Sequence, residues 1–345
     1  MINSNLILNL NKNYVLIIIM YICKKCYKLF SDKNTYNNHN QDTCEIMDER
    51  IINLINYKMS ILEAKMKKYI NKKTNVNKKT TVERIHLKPI IKWSGGKKDE
   101  IKMFIHHVPN DIDVYLEPFI GGGALYFYIN PDKAIISDLH KELIDFYKAI
   151  KDGKTQDIYD FMKSQKNTEE NYYKIRDNFS ITNQLENAQR FYYLRKTCYR
   201  GMLRYNKQGK FNIPYGRYKT YNFDEIKNIA YEKLLQRTEI YNKSFEYIFE
   251  TFNSNKNFMF LDPPYDSEFT DYGYCSFGKE HHKKLADLFK KTKIRCLMII
   301  GKTDFICDLY KDFIVGEYDK RYRFRLHSKR VDEKINTKHL IIKNY

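Results

Sequence analysis

Four short apolar runs set the main constraint on this chain: "DVYLEPF" (113–119), "KAIISD" (133–138), "NFMFLD" (257–262) and "RCLMIIG" (295–301), each ending in or near Asp, Glu or Gly. Runs this short without polar alternation read as strands buried on both faces. Helical patterns follow some of them, as in "KELIDFYKAI" (141–150) and "EHHKKLADLFKK" (280–291). Buried strands alternating with helices predict an α/β chain: an open, mainly parallel sheet with helices on both faces. In such sheets ligands collect at the carboxyl ends of the strands. Residues 155–250 interrupt the alternation and are rich in Tyr, Arg and Asn, which predicts an inserted, mainly helical subdomain.

Ahead of this domain, whose start is expected near Leu87, the chain is of another kind. Residues 21–44 read "YICKKCYKLFSDKNTYNNHNQDTC". Cys23, Cys26, His39 and Cys44 are separated by two, twelve and four residues, and three thiolates with one imidazole suit a closed tetrahedral zinc site. Tyr21, Phe30 and Tyr36 stand where a ββα zinc finger places its small core, so the segment resembles a variant finger with cysteine as its last ligand. Residues 45–70 repeat apolar positions at helical spacing, and "NKKTNVNKKTTVER" (71–84) reads as a basic linker. The apolar run "YVLIIIMYI" (14–22) is too short to span a bilayer. Met20 lies just before the cysteines, and translation starting there would leave residues 1–19 without a fold. Seven cysteines, an odd number, give no secreted disulfide framework, and an intracellular protein is expected.

The formal charge is +19, from 61 Lys+Arg against 42 Asp+Glu. Basic residues interleaved with tyrosines and phenylalanines favour a nucleic-acid partner over a membrane. A+T-rich coding would also raise Lys, Asn, Ile and Tyr, but it accounts less well for the shortage of acids.

Several turns carry candidate chemistry. In "EPFIGGG" (117–123) the glycines let backbone approach a ligand closely; the G-x-G-x-x-G dinucleotide fingerprint is absent. Asp138, ending the next strand, either accepts from ribose hydroxyls or caps a helix. "IKWSGGKK" (91–98) holds the only tryptophan, Trp93, and a Gly-Gly turn with Lys97, but it is not a P-loop. In "FLDPPYD" (260–266), Asp262 and the Pro263 carbonyl are two acceptors for an amino group, and Tyr265 offers a flat π-face. That combination suits an exocyclic base amine. A strand-terminating turn with a capping Asp is the competing reading of this motif alone.

Taken in order, K-W-x-G-G-K, E-P-F-x-G-G-G, Asp and D-P-P-Y make the chain resemble the DNA adenine methylase (Dam) family, from about Lys88 to the C-terminus. "FYYLRKTCYRGMLRYNKQGKFNIPYGRYK" (191–219) resembles that family's target-recognition segment. The resemblance implies a Rossmann-like methyltransferase sheet, S-adenosylmethionine as methyl donor and N6 of adenine in double-stranded DNA as acceptor. It implies a cofactor site of Trp93, Lys97, Glu117, Pro118, Phe119, Gly121, Gly123, Asp138 and Asp262, with Lys97 near the donor's carboxylate. It implies catalysis by Asp262, Pro263 and Tyr265, and DNA contacts from Lys92, Met202, Arg204, Tyr205, Asn206 and Pro214, with Arg204 on a guanine. His140 and Arg200 stand where relatives have Asn, and Lys338 where they often have an acid. GATC is the family's target, and Arg200 leaves its inheritance open.

Adenine N6 is a weak nucleophile because its lone pair is delocalised into the ring. Two acceptors on its hydrogens favour a pyramidal nitrogen, so positioning and electrostatics suffice without a covalent intermediate. No cysteine follows a proline, which excludes the cytosine-C5 class. An enzyme acting on N4 of cytosine or on RNA adenine, and an idle DNA-binding protein, are the alternatives. Arg321, Arg323 and Arg325 of "KRYRFRLHSKR" (320–330) alternate along an expected strand edge, which suits phosphate contact or simply a solvated edge.

Overall fold

The structure is a computed structural model that describes residues 4–11, 14–22, 29–30, 38, 86–266, 277–321 and 336–345. It divides into two compact units, Met1–Glu83 and Arg84–Tyr345. In the first, β1 (Ser4–Asn11) pairs antiparallel with β2 (Tyr14–Ile22), and β2 pairs antiparallel with β3 (Leu29–Phe30). β1 and β2 lie largely within residues 1–19, and the Val- and Ile-rich stretch of β2 suits a strand. Tyr21 faces Phe30 and Ile22 faces Leu29, so the Cys23–Cys26 stretch lies in sequence between two paired strands. The four expected zinc ligands and the 45–70 helix lie outside the described residues.

Among its described residues the second unit carries a seven-stranded sheet. Its first strands are β4 (Tyr115–Glu117), β5 (Ala134–Ser137) and β6 (Thr238–Tyr241), followed by β7 (Phe258–Leu261) and β8 (Arg295–Gly301). β9 (Ile314–Arg321) and β10 (Asn336–Lys343) complete it, in the spatial order β6-β5-β4-β7-β8-β10-β9. All neighbouring pairs are parallel except those of β10, which runs antiparallel to both β8 and β9.

Residues alternate strictly between two cores. Tyr115, Ile136, Phe258, Phe260, Leu297 and Ile299 face one side, while Leu116, Ile135, Met259, Leu261, Met298 and Ile300 face the other. Helices cover both sides, which is why the strands read as unbroken apolar runs. α1 (Ile101–Phe104), α2 (Ala124–Ile129) and α3 (Lys141–Lys151) contribute to the first core. The insertion supplies α4 (Thr155–Ser164), α5 (Glu169–Asn178), α6 (Gln184–Thr197) and α7 (Ile229–Gln236) to the same side. α8 (Phe245–Thr251), α9 (Lys279–Lys291) and α10 (Asp304–Tyr310) cover the second.

Within the 155–250 stretch, β6 pairs with β5 as one edge of the main sheet, and α8, which begins there, packs on the second core. Only Thr238 of β6 is buried, so "TEIY" carries no buried-strand signature. From β4 the chain winds outward through β5 to β6, then returns to β7 on the other side of β4. Neighbouring β4 and β7 form the switch point where such sheets open a crevice.

Candidate active site

A cavity of about 220 Å³ opens at the carboxyl ends of β4 and β7. Trp93–Lys97, Glu117–Ala124, Asp138 and Asp262–Tyr265 line it, bringing together the sequence-predicted cofactor and catalytic residues. Leu139, Ser244, Phe245, Glu246, Phe277 and His281 line it too and were not anticipated. Their signal is spatial: Phe119 stacks on Phe245 with centroids 5.5 Å apart and meets Phe277 edge-on at 5.7 Å.

The glycine turn is shaped around Trp93. A Cβ on Gly121, whose φ is +43°, would sit 2.6 Å from Trp93 Nε1, and one on Gly122 would sit 2.9 Å from Trp93 Cβ. Gly121 N–H donates to Asp138 Oδ2 and His140 N–H to Oδ1, each at 3.0 Å. Burial nonetheless pushes the Asp138 carboxyl up to about 6, the backbone donors opposing it. Glu117, buried beside it, accepts from the Tyr115 hydroxyl at 2.5 Å, and burial drives its pKa well above the ordinary value.

Lys97 lines the same cavity. It is 1% exposed, and its ammonium donates to the Gly95 carbonyl (3.0 Å), the Tyr265 hydroxyl (2.8 Å) and the Asp262 carboxylate. Burial raises the Asp262 pKa and the Lys97 charge pulls it back. The D-P-P-Y acid is therefore already engaged by a nitrogen donor, the role proposed for it toward a base amine.

Behind Tyr265 lies a charge cluster invisible in "KKDEI". Glu100 accepts from His339 Nδ1 at 2.7 Å, from the Tyr318 hydroxyl at 2.8 Å and from Lys320. Burial works to raise the Glu100 pKa, and the bonds from His339 and Lys320 with the Lys97 charge outweigh it, leaving it at about 2. The His339 ring meets Tyr265 at 5.5 Å, 66° between planes. Lys320 thus turns toward Glu100, while Arg323 and Arg325 lie outside the described residues. Lys338 pairs with Glu317.

The target-recognition candidates other than Lys92 fall on a small hairpin with bridges between Cys198 and Tyr215 and between Tyr205 and Phe211. Asn206 Oδ1 accepts from the N–H groups of Gln208 (3.0 Å) and Lys210 (2.9 Å), with Gly209 at φ +71° completing the turn. Asn206 therefore builds the turn. Arg204 is exposed, and Asn212 orients it by accepting from Nε at 2.8 Å. Lys92 and Pro214 are exposed and Met202 is half-buried. The Tyr205 ring packs inward, its hydroxyl 2.7 Å from His140 Nε2 and donating to Glu142. Among the described residues no group of three His, Cys, Asp or Glu could hold a metal, and no helix is long and apolar enough to cross a membrane.

A mostly parallel seven-stranded sheet with one reversed strand, and a crevice at its switch point lined by glycines, acids and aromatics, is consistent with the Rossmann-like methyltransferase fold. Residues 93–324 match the family described as D12 class N6 adenine-specific DNA methyltransferase, and the chain belongs to it. It is 57% identical over 261 residues to the type II methyltransferase M.CviBI of Paramecium bursaria Chlorella virus NC1A, covering 75% of this chain and 100% of that one. It is 34% identical over 262 residues to M.MjaIII of Methanocaldococcus jannaschii, covering 66% and 90%. It is 31% identical over 274 residues to the DNA adenine methylase of Haemophilus influenzae, covering 74% and 92%. The chain is an adenine-specific DNA methyltransferase, and membership of this family implies S-adenosylmethionine as donor and DNA as substrate.

Proposed function

We propose that the cavity at β4 and β7 binds S-adenosylmethionine and that the Asp262–Tyr265 turn presents N6 of an adenine flipped out of double-stranded DNA. The convergence of the Trp93 loop, the glycine turn, Asp138 and Asp262 on one cavity carries this reading. The residues fit the donor chemically. Asp138 offers a carboxylate for ribose hydroxyls, the turn at Gly121 and Gly122 leaves no space for a Cβ beside Trp93, and Phe119, Phe245 and Phe277 give an apolar aromatic wall. The bound donor supplies a methyl group on a positively charged sulfur.

The remaining work belongs to the protein. Asp262 and the Pro263 carbonyl accept the two N6 hydrogens, moving the lone pair out of conjugation and toward the methyl. As the donor's C–S bond breaks and the new N–C bond to its methyl forms, the Asp262 carboxylate would take the excess N6 proton and pass it to water. Tyr265 stacks on the base. Docking the adenine exchanges one nitrogen donor on Asp262, the Lys97 ammonium, for another. Arg204 reads a guanine through its N–H fork while Asn212 holds its orientation, and Lys92, Met202 and Pro214 supply further DNA contacts. GATC is the first target to test. Transfer of labelled methyl to unmethylated duplex DNA, with the base identified after digestion, tests the reading; label on cytosine would overturn it.

The first unit would hold one structural zinc through Cys23, Cys26, His39 and Cys44, consistent with the strand pairing that flanks Cys23–Cys26. Native mass spectrometry of the full chain should give one zinc, lost in Cys23→Ser; a metal-free wild type would exclude it.

A further inference from the structure

We propose that Arg195 is a positioning residue that couples the cofactor pocket to the target-reading hairpin, a step that rests on the reading of those two sites given above. Arg195 lies in the last turn of α6 and is 3% exposed. One guanidinium nitrogen donates to the Met202 carbonyl at 2.6 Å, two residues before Arg204. Another donates to the Lys92 carbonyl, 103 positions away in sequence and next to Trp93. Its charge lies 5.6 Å from the centre of the Trp93 ring.

The two loops also touch directly. Gly201, at φ +61°, packs so closely that a Cβ there would stand 3.2 Å from Lys92 Cδ and 3.4 Å from the Arg195 carbonyl. A second link closes the circuit. His140 Nδ1 accepts from Leu143 N–H, so its proton lies on Nε2 and is donated to the Tyr205 hydroxyl. That hydroxyl donates to Glu142, which Arg190 holds at 2.9 Å. His140 N–H meanwhile binds the Asp138 carboxylate, and its ring meets Trp93 edge-on at 5.6 Å.

The circuit thus runs from Trp93 through His140 and Tyr205 to the hairpin, and back through Met202, Arg195 and Lys92. A planar fork fixes two carbonyls relative to each other in distance and direction, which a lysine cannot do. Displacement of the hairpin on DNA must therefore pull on the backbone of Trp93, and occupancy at Asp138 and Trp93 must restrain the hairpin. By linkage the coupling is reciprocal: each ligand tightens the other by the same factor.

The test is the affinity of the full-length protein for S-adenosylhomocysteine, measured by calorimetry with and without an unmethylated duplex carrying the motif the wild type methylates. Trp93, the sole tryptophan, reports binding independently by fluorescence. In the wild type the duplex should tighten the nucleoside at least tenfold. In Arg195→Met and Arg195→Lys that factor should fall below threefold, while each ligand alone binds within about threefold of the wild type. Tyr205→Phe, which removes one hydroxyl, should lower the factor partly and decides the matter if the Arg195 variants do not fold. Full coupling in the variants, no coupling in the wild type, or equal loss of both separate affinities overturns the proposal. A wild type with no Trp93 response and no heat overturns the cofactor-site reading as well.

Discussion

Replacing Lys97 by methionine isolates the charge pair at the centre of the site. The Lys97 side chain is 1% exposed and that of Asp262 21%, so solvent screens the pair little, and the ammonium makes three hydrogen bonds at once. Removing one partner of such a pair leaves a carboxylate uncompensated, at a cost of about 3–5 kcal/mol. For a unit of this size that is a fall in Tm of roughly 10 °C. Scanning calorimetry of Lys97→Met should show it. Replacing the second charge as well, in Lys97→Met/Asp262→Asn, should recover at least half of the loss, because the amide needs no counter-ion. Activity should stay absent in the double variant. A Tm for Lys97→Met within about 2 °C of the wild type, or a double variant no more stable than the single one, would refute the reasoning.

Three further expectations can be checked alongside. Gly121→Ala places a methyl against the Trp93 indole at a positive φ, so nucleoside affinity should drop more than tenfold by fluorescence titration while the fold survives. Asp138 has its pKa raised to about 6, so it gains a proton as pH falls through that value. If it accepts from ribose, nucleoside affinity should weaken toward tenfold per pH unit below about 6, and Asp138→Asn should be weak and flat across that range. Glu100 has a folded pKa of about 2, below its ordinary 4.5, so its stabilisation is complete above 4.5 and lost as pH falls toward 2. Glu100→Gln should therefore cost on the order of 3 kcal/mol at pH 7 in denaturant unfolding and flatten the acid limb; an unchanged midpoint would exclude the cluster as a stabilising feature.

Apolar runs closed by an acid or glycine were enough to locate β4, β5, β7 and β8, because buried parallel strands leave that pattern. Glu117–Gly123, Asp138 and Asp262–Tyr265 were legible for the same reason, since each ends one of those runs or follows it, whereas Trp93 and Lys97 stood out only through the K-W-x-G-G-K turn ahead of them. β6 was not, because three of its four residues are only partly covered at the sheet edge. Glu100 in "KKDEI" and Arg195 in "YLRKTC" look like solvated helix charges, yet their partners, His339 and the Lys92 carbonyl, lie far along the chain. Periodicity reports which face is buried; it carries nothing about which distant atom a long side chain will reach. Tyr205 and Lys97 were singled out from motifs, but the direction of each side chain depends on its contacts with His140 and Asp262, which sequence does not show.

The central claim is that Asp262 holds the adenine amine during transfer. It is tested most directly by labelled methyl transfer from S-adenosylmethionine to unmethylated duplex DNA, run in parallel for wild type and Asp262→Ala, with DNA binding followed by anisotropy. The wild type should label N6-methyladenine, and the variant should lose at least a thousandfold in rate with DNA affinity within about threefold. Residual transfer above a tenth of the wild-type rate in Asp262→Ala would contradict the account.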